Sequence, residues 1–144
     1  MLVQLATTLP LVGLIWTVQL LVYPQFARVG AAEFPAYHAA HARLITVVVG
    51  PLMLAELGGA LVGVVAPDVR VPPSLAWLGL ALTAVAWGTT MFASVPQHEV
   101  LSAGFDARAH AVLVSTNWLR TLAWSTRGGL LLAWAHRATT LADA

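Results

Sequence analysis

Residues 44–66 read LITVVVGPLMLAELGGALVGVVA, a run whose only charge is Glu56. As a helix rising about 1.5 Å per residue, such a run is long enough for the roughly 30 Å hydrocarbon layer of a bilayer. Three further stretches, over 2–23, 75–94 and 109–134, also reach the length needed to cross, the last with Arg120 and Arg127 inside it. Alternation at period two is missing from all of them, which argues against a membrane β-barrel. The first stretch lacks the basic leader of a secretory signal and exceeds its usual apolar length of about 7–15 residues, so it reads as a spanning helix. The sequence therefore predicts an all-α, integral membrane four-helix bundle, a multi-pass protein with up-down-up-down topology and one domain over residues 1–144.

Composition agrees. Of 144 residues, 59% are hydrophobic and 9% charged, and lysine is absent. A water-soluble domain carries about a quarter charged residues. The net charge of +1 and the scattered arginines exclude a nucleic-acid partner. The absence of cysteine removes disulfides, thiolate metal sites and thiol catalysis.

The connections differ in kind. Residues 67–74 form a short, proline-punctuated turn, whereas 24–43 and 95–108 are longer and more polar. Glu33-Phe34-Pro35 reads as a helix start, with proline in the first turn. Helices two and four thus extend beyond the membrane on that side, and Gly50-Pro51 would kink helix two. Threading four crossings puts His38, His41, His98 and His110 on one side with Glu33, Glu99 and Asp106, and leaves only His136 opposite. Arginines fall on both sides (Arg28, Arg43 and Arg108 against Arg70 and Arg137), so charge asymmetry sets no orientation.

The fourth stretch carries the strongest pattern. His110, Leu113, Asn117, Arg120, Trp124, Arg127, Leu131 and Trp134 are spaced three and four apart and share one helix face. Arg120 lies deep in the span, where a charge facing lipid costs several kcal/mol, of order 3 by insertion scales, so this face must look inward. Glu56 comes to a similar depth on helix two, which predicts a Glu56–Arg120 pair. Glu56, Arg120 and Asn117 are the candidate catalytic residues. Gln19 and Tyr23 on helix one, Trp87 on helix three and Trp124 on helix four are candidate substrate contacts. Trp77 and Trp134 read as interface-belt residues. The plainer reading of the same set is polar glue that fixes helix register.

The histidines are a second constellation. His38 and His41 lie three apart on one helix face, and His98 and His110 share their side. Imidazoles without thiolates suit iron, copper or zinc. The plainer reading is interfacial histidines bonded to headgroups or loop carbonyls. The cofactor expected is thus a histidine-bound transition metal, or none.

Val95-Pro96-Gln97-His98-Glu99-Val100-Leu101, followed by Asn117-Trp118-Leu119-Arg120-Thr121, resembles a family of small four-helix membrane proteins that includes the fungal anthrone oxygenases. Pro96, Leu101, Asn117 and Arg120 fit that family's pattern, with His98 where asparagine is usual. The resemblance implies an oxygenase acting on a lipophilic aromatic substrate without a bound prosthetic group. Arg120 and Asn117 would then hold a phenolate or enolate oxygen, and Glu56 or a histidine would take the proton.

The function expected is a small membrane oxidoreductase or oxygenase whose substrate, a lipophilic small molecule, enters from the lipid bilayer to a polar site between helices two and four. Two other classes fit the same residues. One is a metal- or proton-binding transport protein working as a homo-oligomer. The other is a membrane subunit whose polar stripe docks on a partner protein.

Overall fold

The computed structural model describes residues 2–67 and 71–142, with side chains as far as residue 138. These residues form four helices and no strand: α1 (Leu2–Phe26), α2 (Phe34–Val65), α3 (Pro73–Ser102) and α4 (Ala107–Ala142). α1 and α3 each pack against both α2 and α4, so they occupy opposite corners of the bundle. Part of the expected 67–74 turn, residues 68–70, lies outside the described residues.

The two connections expected to be long are short. Helix extends through 24–26 and 95–102, leaving only 27–33 and 103–106 as links. Prolines at 24, 35 and 96 punctuate these regions without ending the helices. Pro35 sits in the first turn of α2, where a missing N–H costs nothing. Pro24 and Pro96 each follow a π-helical turn, Val18–Val22 in α1 and Thr90–Ser94 in α3. The N–H of Tyr23 bonds to the Val18 carbonyl and that of Val95 to the Thr90 carbonyl. A wide turn just ahead of proline relieves the clash its ring would make with the carbonyl four residues back. Helical geometry likewise runs on past Pro51 in α2. Asp106 starts α4, its Oδ1 accepting the Ala109 N–H at 2.7 Å.

The bundle buries polar side chains within an apolar core and exposes apolar ones. Thr8, Glu56, Thr83, Asn117 and Thr121 are fully buried, while Leu44, Val47, Leu54, Trp77 and Phe92 are among the exposed side chains. That arrangement suits a hydrocarbon surround. α1, α2 and α3 are each long and apolar enough to cross a membrane. α4 is longer but falls outside that set, so three of the four expected spans qualify. Its polar residues lower its hydropathy, yet Asn117, Arg120, Thr121 and Arg127 are all buried against the other helices, and Leu119, Leu122 and Leu132 face outward.

A π turn holds one residue more than an α turn, which yields a test of the architecture. Deleting Phe92, exposed on the α3 π turn, should convert that turn to α geometry, keep Ser94 and His98 in register, and lower the melting temperature by a few degrees at most. Deleting Leu119, equally exposed but in regular α4 helix, rotates the following residues by about 100° and should abolish folding. Thermal melts of the two variants in detergent would show the difference.

Candidate functional site

Two polar clusters lie inside the bundle, each assembled from all four helices. The first centres on Glu56 of α2, at 0% exposure. Its Oε2 accepts the Trp124 indole N–H at 2.9 Å, and its Oε1 accepts the Thr8 hydroxyl at 3.3 Å. Arg127 Nε stands 3.0 Å from Oε1, a charge contact not aligned as a hydrogen bond. Arg127 Nη2 donates to Gln4 Oε1 at 3.2 Å, and Gln4 Nε2 donates to the Gly59 carbonyl at 3.0 Å. Gly79 of α3 borders this cluster: a Cβ there would stand 2.5 Å from Arg127 Nη1, so a larger residue would require the end of the guanidinium to shift.

The expected Glu56–Arg120 pair is therefore not formed. Arg127, two turns further along the same stripe, takes the carboxylate. Depth counted from assumed span ends missed this because α2 and α4 both run past those ends, and a long guanidinium chain adds its own reach.

The second cluster lies toward the histidines. His38 Nε2 is 3.0 Å from His98 Nδ1, and His98 Nε2 is 3.2 Å from the Tyr23 hydroxyl. His38, His98 and Tyr23 thus form an unbroken line of three proton-carrying groups from α2, α3 and α1. Arg120 of α4 carries its charge near Tyr23 and donates from Nη1 to Ser94 Oγ at 3.0 Å. Its guanidinium also lies over the Trp124 ring, 5.6 Å from the centroid, which joins the two clusters. Asn117 Nδ2 donates to Gln19 Oε1 at 2.8 Å, and Gln19 Nε2 donates to the Val114 carbonyl at 3.3 Å. Phe26, fully buried, touches the rings of Tyr23, Phe34, Tyr37, His38, His41, His98 and His110.

The π turns explain how α1 and α3 serve this cluster. Gln19 and Ser94 lie within them, and Tyr23 and His98 follow each by no more than four residues. Wide turns of this kind are frequent at functional sites because they re-aim side chains without ending the helix.

Of the expected site residues, Gln19, Tyr23, Asn117 and Arg120 come together, and Glu56 with Trp124 forms the separate ion-pair cluster. Trp87 is half-buried, its Nε1 enclosed without a partner. The expected sphere of His38, His41, His98 and His110 is not formed. His110 Nε2 is 2.7 Å from the Tyr23 carbonyl, and His41 stacks on His98 with ring centroids 6.0 Å apart. Among the described residues no three His, Asp or Glu side chains are grouped to hold a metal ion. Glu33, Glu99 and Asp106 are exposed rather than drawn inward.

Sequence reasoning passed over Gln4 and Thr8, although a signal exists: Gln4, Thr8, Leu11 and Ile15 repeat at four and three, the buried face of α1. Ser94, legible as a polar group of the third apolar stretch, lies four residues before His98 on α3. No family model, curated protein or solved structure matches the chain.

The two arginines differ in one respect that decides their roles. Arg127 is 2% exposed and matched by a carboxylate. Arg120 is 7% exposed, has neutral partners, and leaves Nε buried with none. Arg127→Leu strands a buried carboxylate and is expected to cost about 3–5 kcal/mol, largely recovered in the Glu56→Leu/Arg127→Leu double variant. Arg120→Leu removes a cation that no carboxylate needs, and should leave stability unchanged or higher. Unfolding in detergent checks both, and equal losses for the two single variants would contradict this division.

Proposed function

We propose that the protein is a four-pass, up-down membrane enzyme, an oxidoreductase that ionises a lipophilic substrate and passes the anion to dioxygen. The observation that carries this reading is the unmatched Arg120 guanidinium beside the His38–His98–Tyr23 line. A buried cation without an anion is costly in hydrocarbon, and it is repaid only by a charge that arrives or develops there. A phenolate or enolate oxygen supplies that charge. Arg120 Nε is a buried donor with no partner and is free to serve that oxygen, whereas Asn117 has given its Nδ2 to Gln19 and keeps only an acceptor oxygen, which positions Gln19 rather than the anion.

The proton goes to the line. Tyr23 and the two imidazoles can be ordered in either polarity, so a proton accepted at Tyr23 displaces one through His98 to His38. Glu56 does not suit this role, because its two oxygens already receive Trp124, Thr8 and the Arg127 charge. For a methylene activated by flanking aromatic rings, the anion and dioxygen lead to a ketone and water: CH2 plus O2 gives C=O plus H2O. Dioxygen is the oxidant, and both substrates are soluble in the bilayer.

Burial of the Asn117–Arg127 stripe within the chain's own bundle supports an internal site over a face for docking a partner. The line of proton carriers favours one second reading, a proton-binding membrane protein acting as an oligomer, which would take up protons without consuming dioxygen.

Anthrone, whose enolate is coloured, tests the first reading. In phosphatidylcholine nanodiscs the wild-type protein should accelerate enolate formation and oxygen uptake. Arg120→Leu should lower both by about 10²–10³-fold, the scale of losing one charge-stabilising donor, while remaining folded. Turnover unchanged by Arg120→Leu would sink the assignment.

A further inference from the structure

A cavity of about 390 Å³ lies at the end of the bundle opposite the histidine cluster, between α1, α2, α3 and α4. Its walls are mostly apolar, with Val62, Leu75, Leu130 and Leu131 among them. Its volume falls within the range of small-molecule sites, about 300–1,000 Å³.

The polar part of the wall is built rather than incidental. Gln4, Arg127 and Trp134 line it. Three glycines make space for the first two: a Cβ at Gly59 or Gly63 would meet the Gln4 side chain at 3.2 or 3.0 Å, and one at Gly79 would meet Arg127. Both ends of the Gln4 amide are used, its oxygen by Arg127 and its nitrogen by the Gly59 carbonyl. Arg127 and the Trp134 indole carry only donors. The wall is therefore richer in donors than in acceptors, its one side-chain acceptor oxygen, on Gln4, being already engaged by Arg127. It also presents little net charge, because Glu56 lies against Arg127.

We propose that this cavity is a second site, distinct from the Arg120 cluster, which takes a neutral lipophile carrying a carbonyl oxygen, of the ketone or quinone class. The oxygen accepts from the Arg127 guanidinium, and the apolar body lies along α2 and α3. An anion is disfavoured because it would compete with Glu56 for the same guanidinium in a medium that screens poorly. A plain hydrocarbon would leave the donors unanswered.

Gly58 gives a clean probe. It lines the cavity, and a Cβ there would meet nothing within 4 Å. Gly58 is at the exposed rim of the cavity, so Gly58→Leu is accommodated without a clash at its Cβ and is expected to narrow the entrance, and helix propensity favours it over glycine. In phosphatidylcholine nanodiscs, 11-bromo-2-undecanone should quench tryptophan fluorescence saturably, at a concentration at least tenfold below 1-bromoundecane or 11-bromoundecanoate. Trp134→Phe should remove the saturable component, and Gly58→Leu should raise the half-saturating concentration at least tenfold with an unchanged melting temperature and unchanged anthrone ionisation. Equal quenching by ketone and bromoalkane would mean a lipid-filled groove and would overturn the proposal. Tighter binding of the carboxylate would identify an anion site, and ketone binding unaltered in Gly58→Leu would place the ligand elsewhere. Either result refutes it.

Discussion

A carboxylate in the middle of an apolar helix cannot be left to hydrocarbon, and the bundle is arranged around that constraint. Glu56 draws a donor from α1 and two groups from α4, and Arg127 in turn reaches Gln4 and lies against Gly79 of α3. Each helix is thereby fixed in rotation about its own axis. Apolar packing alone specifies rotation weakly when the surround is as apolar as the core, so polar contacts between helices set the register. The inward turn of α4, the least apolar of the four helices, follows from the same requirement.

The histidine end solves a different problem. Here the helices must present polar groups inward while prolines at 24 and 96 interrupt their hydrogen bonding. The two π turns meet both demands, since each accommodates a proline and turns a residue pair, Gln19 with Tyr23 or Ser94 with His98, toward the interior. Phe26 fills the space between the rings so closely that the imidazoles have defined neighbours on every helix.

Much of this was legible in the chain. Apolar length revealed the helices, and the three-and-four spacing from His110 to Trp134 identified the inward face of α4, because a charge in hydrocarbon leaves only one direction to point. The identity of the partner for Glu56 was not legible. Arg120 and Arg127 lie on the same stripe two turns apart, and choosing between them needs the relative slide of α2 and α4, which the links and the π turns determine. The histidine sphere failed for a related reason. Spacing placed the four imidazoles at one end, but a tyrosine hydroxyl, a backbone carbonyl and a neighbouring imidazole compete for their nitrogens, and such competition has no periodic signature. Helix four also shows that mean hydropathy understates how apolar the outer face of a helix is when its polar residues are turned to the inside.

Setting the two arginines together isolates what is unusual. A bundle able to bury Arg127 against Glu56 with supporting contacts from Trp124, Thr8 and Gln4 has the means to satisfy a guanidinium. At Arg120, on the same face of the same helix, it supplies a serine, a tyrosine and an aromatic ring, and no carboxylate. Stability alone would favour leucine or a second acid in that setting, since an unmatched buried charge weakens a fold rather than holding it. Local rules of this sort are broken where function requires it. The vacancy in charge at Arg120 is thus the feature of the interior least explained by folding, and it is the observation on which the proposed transient anion rests.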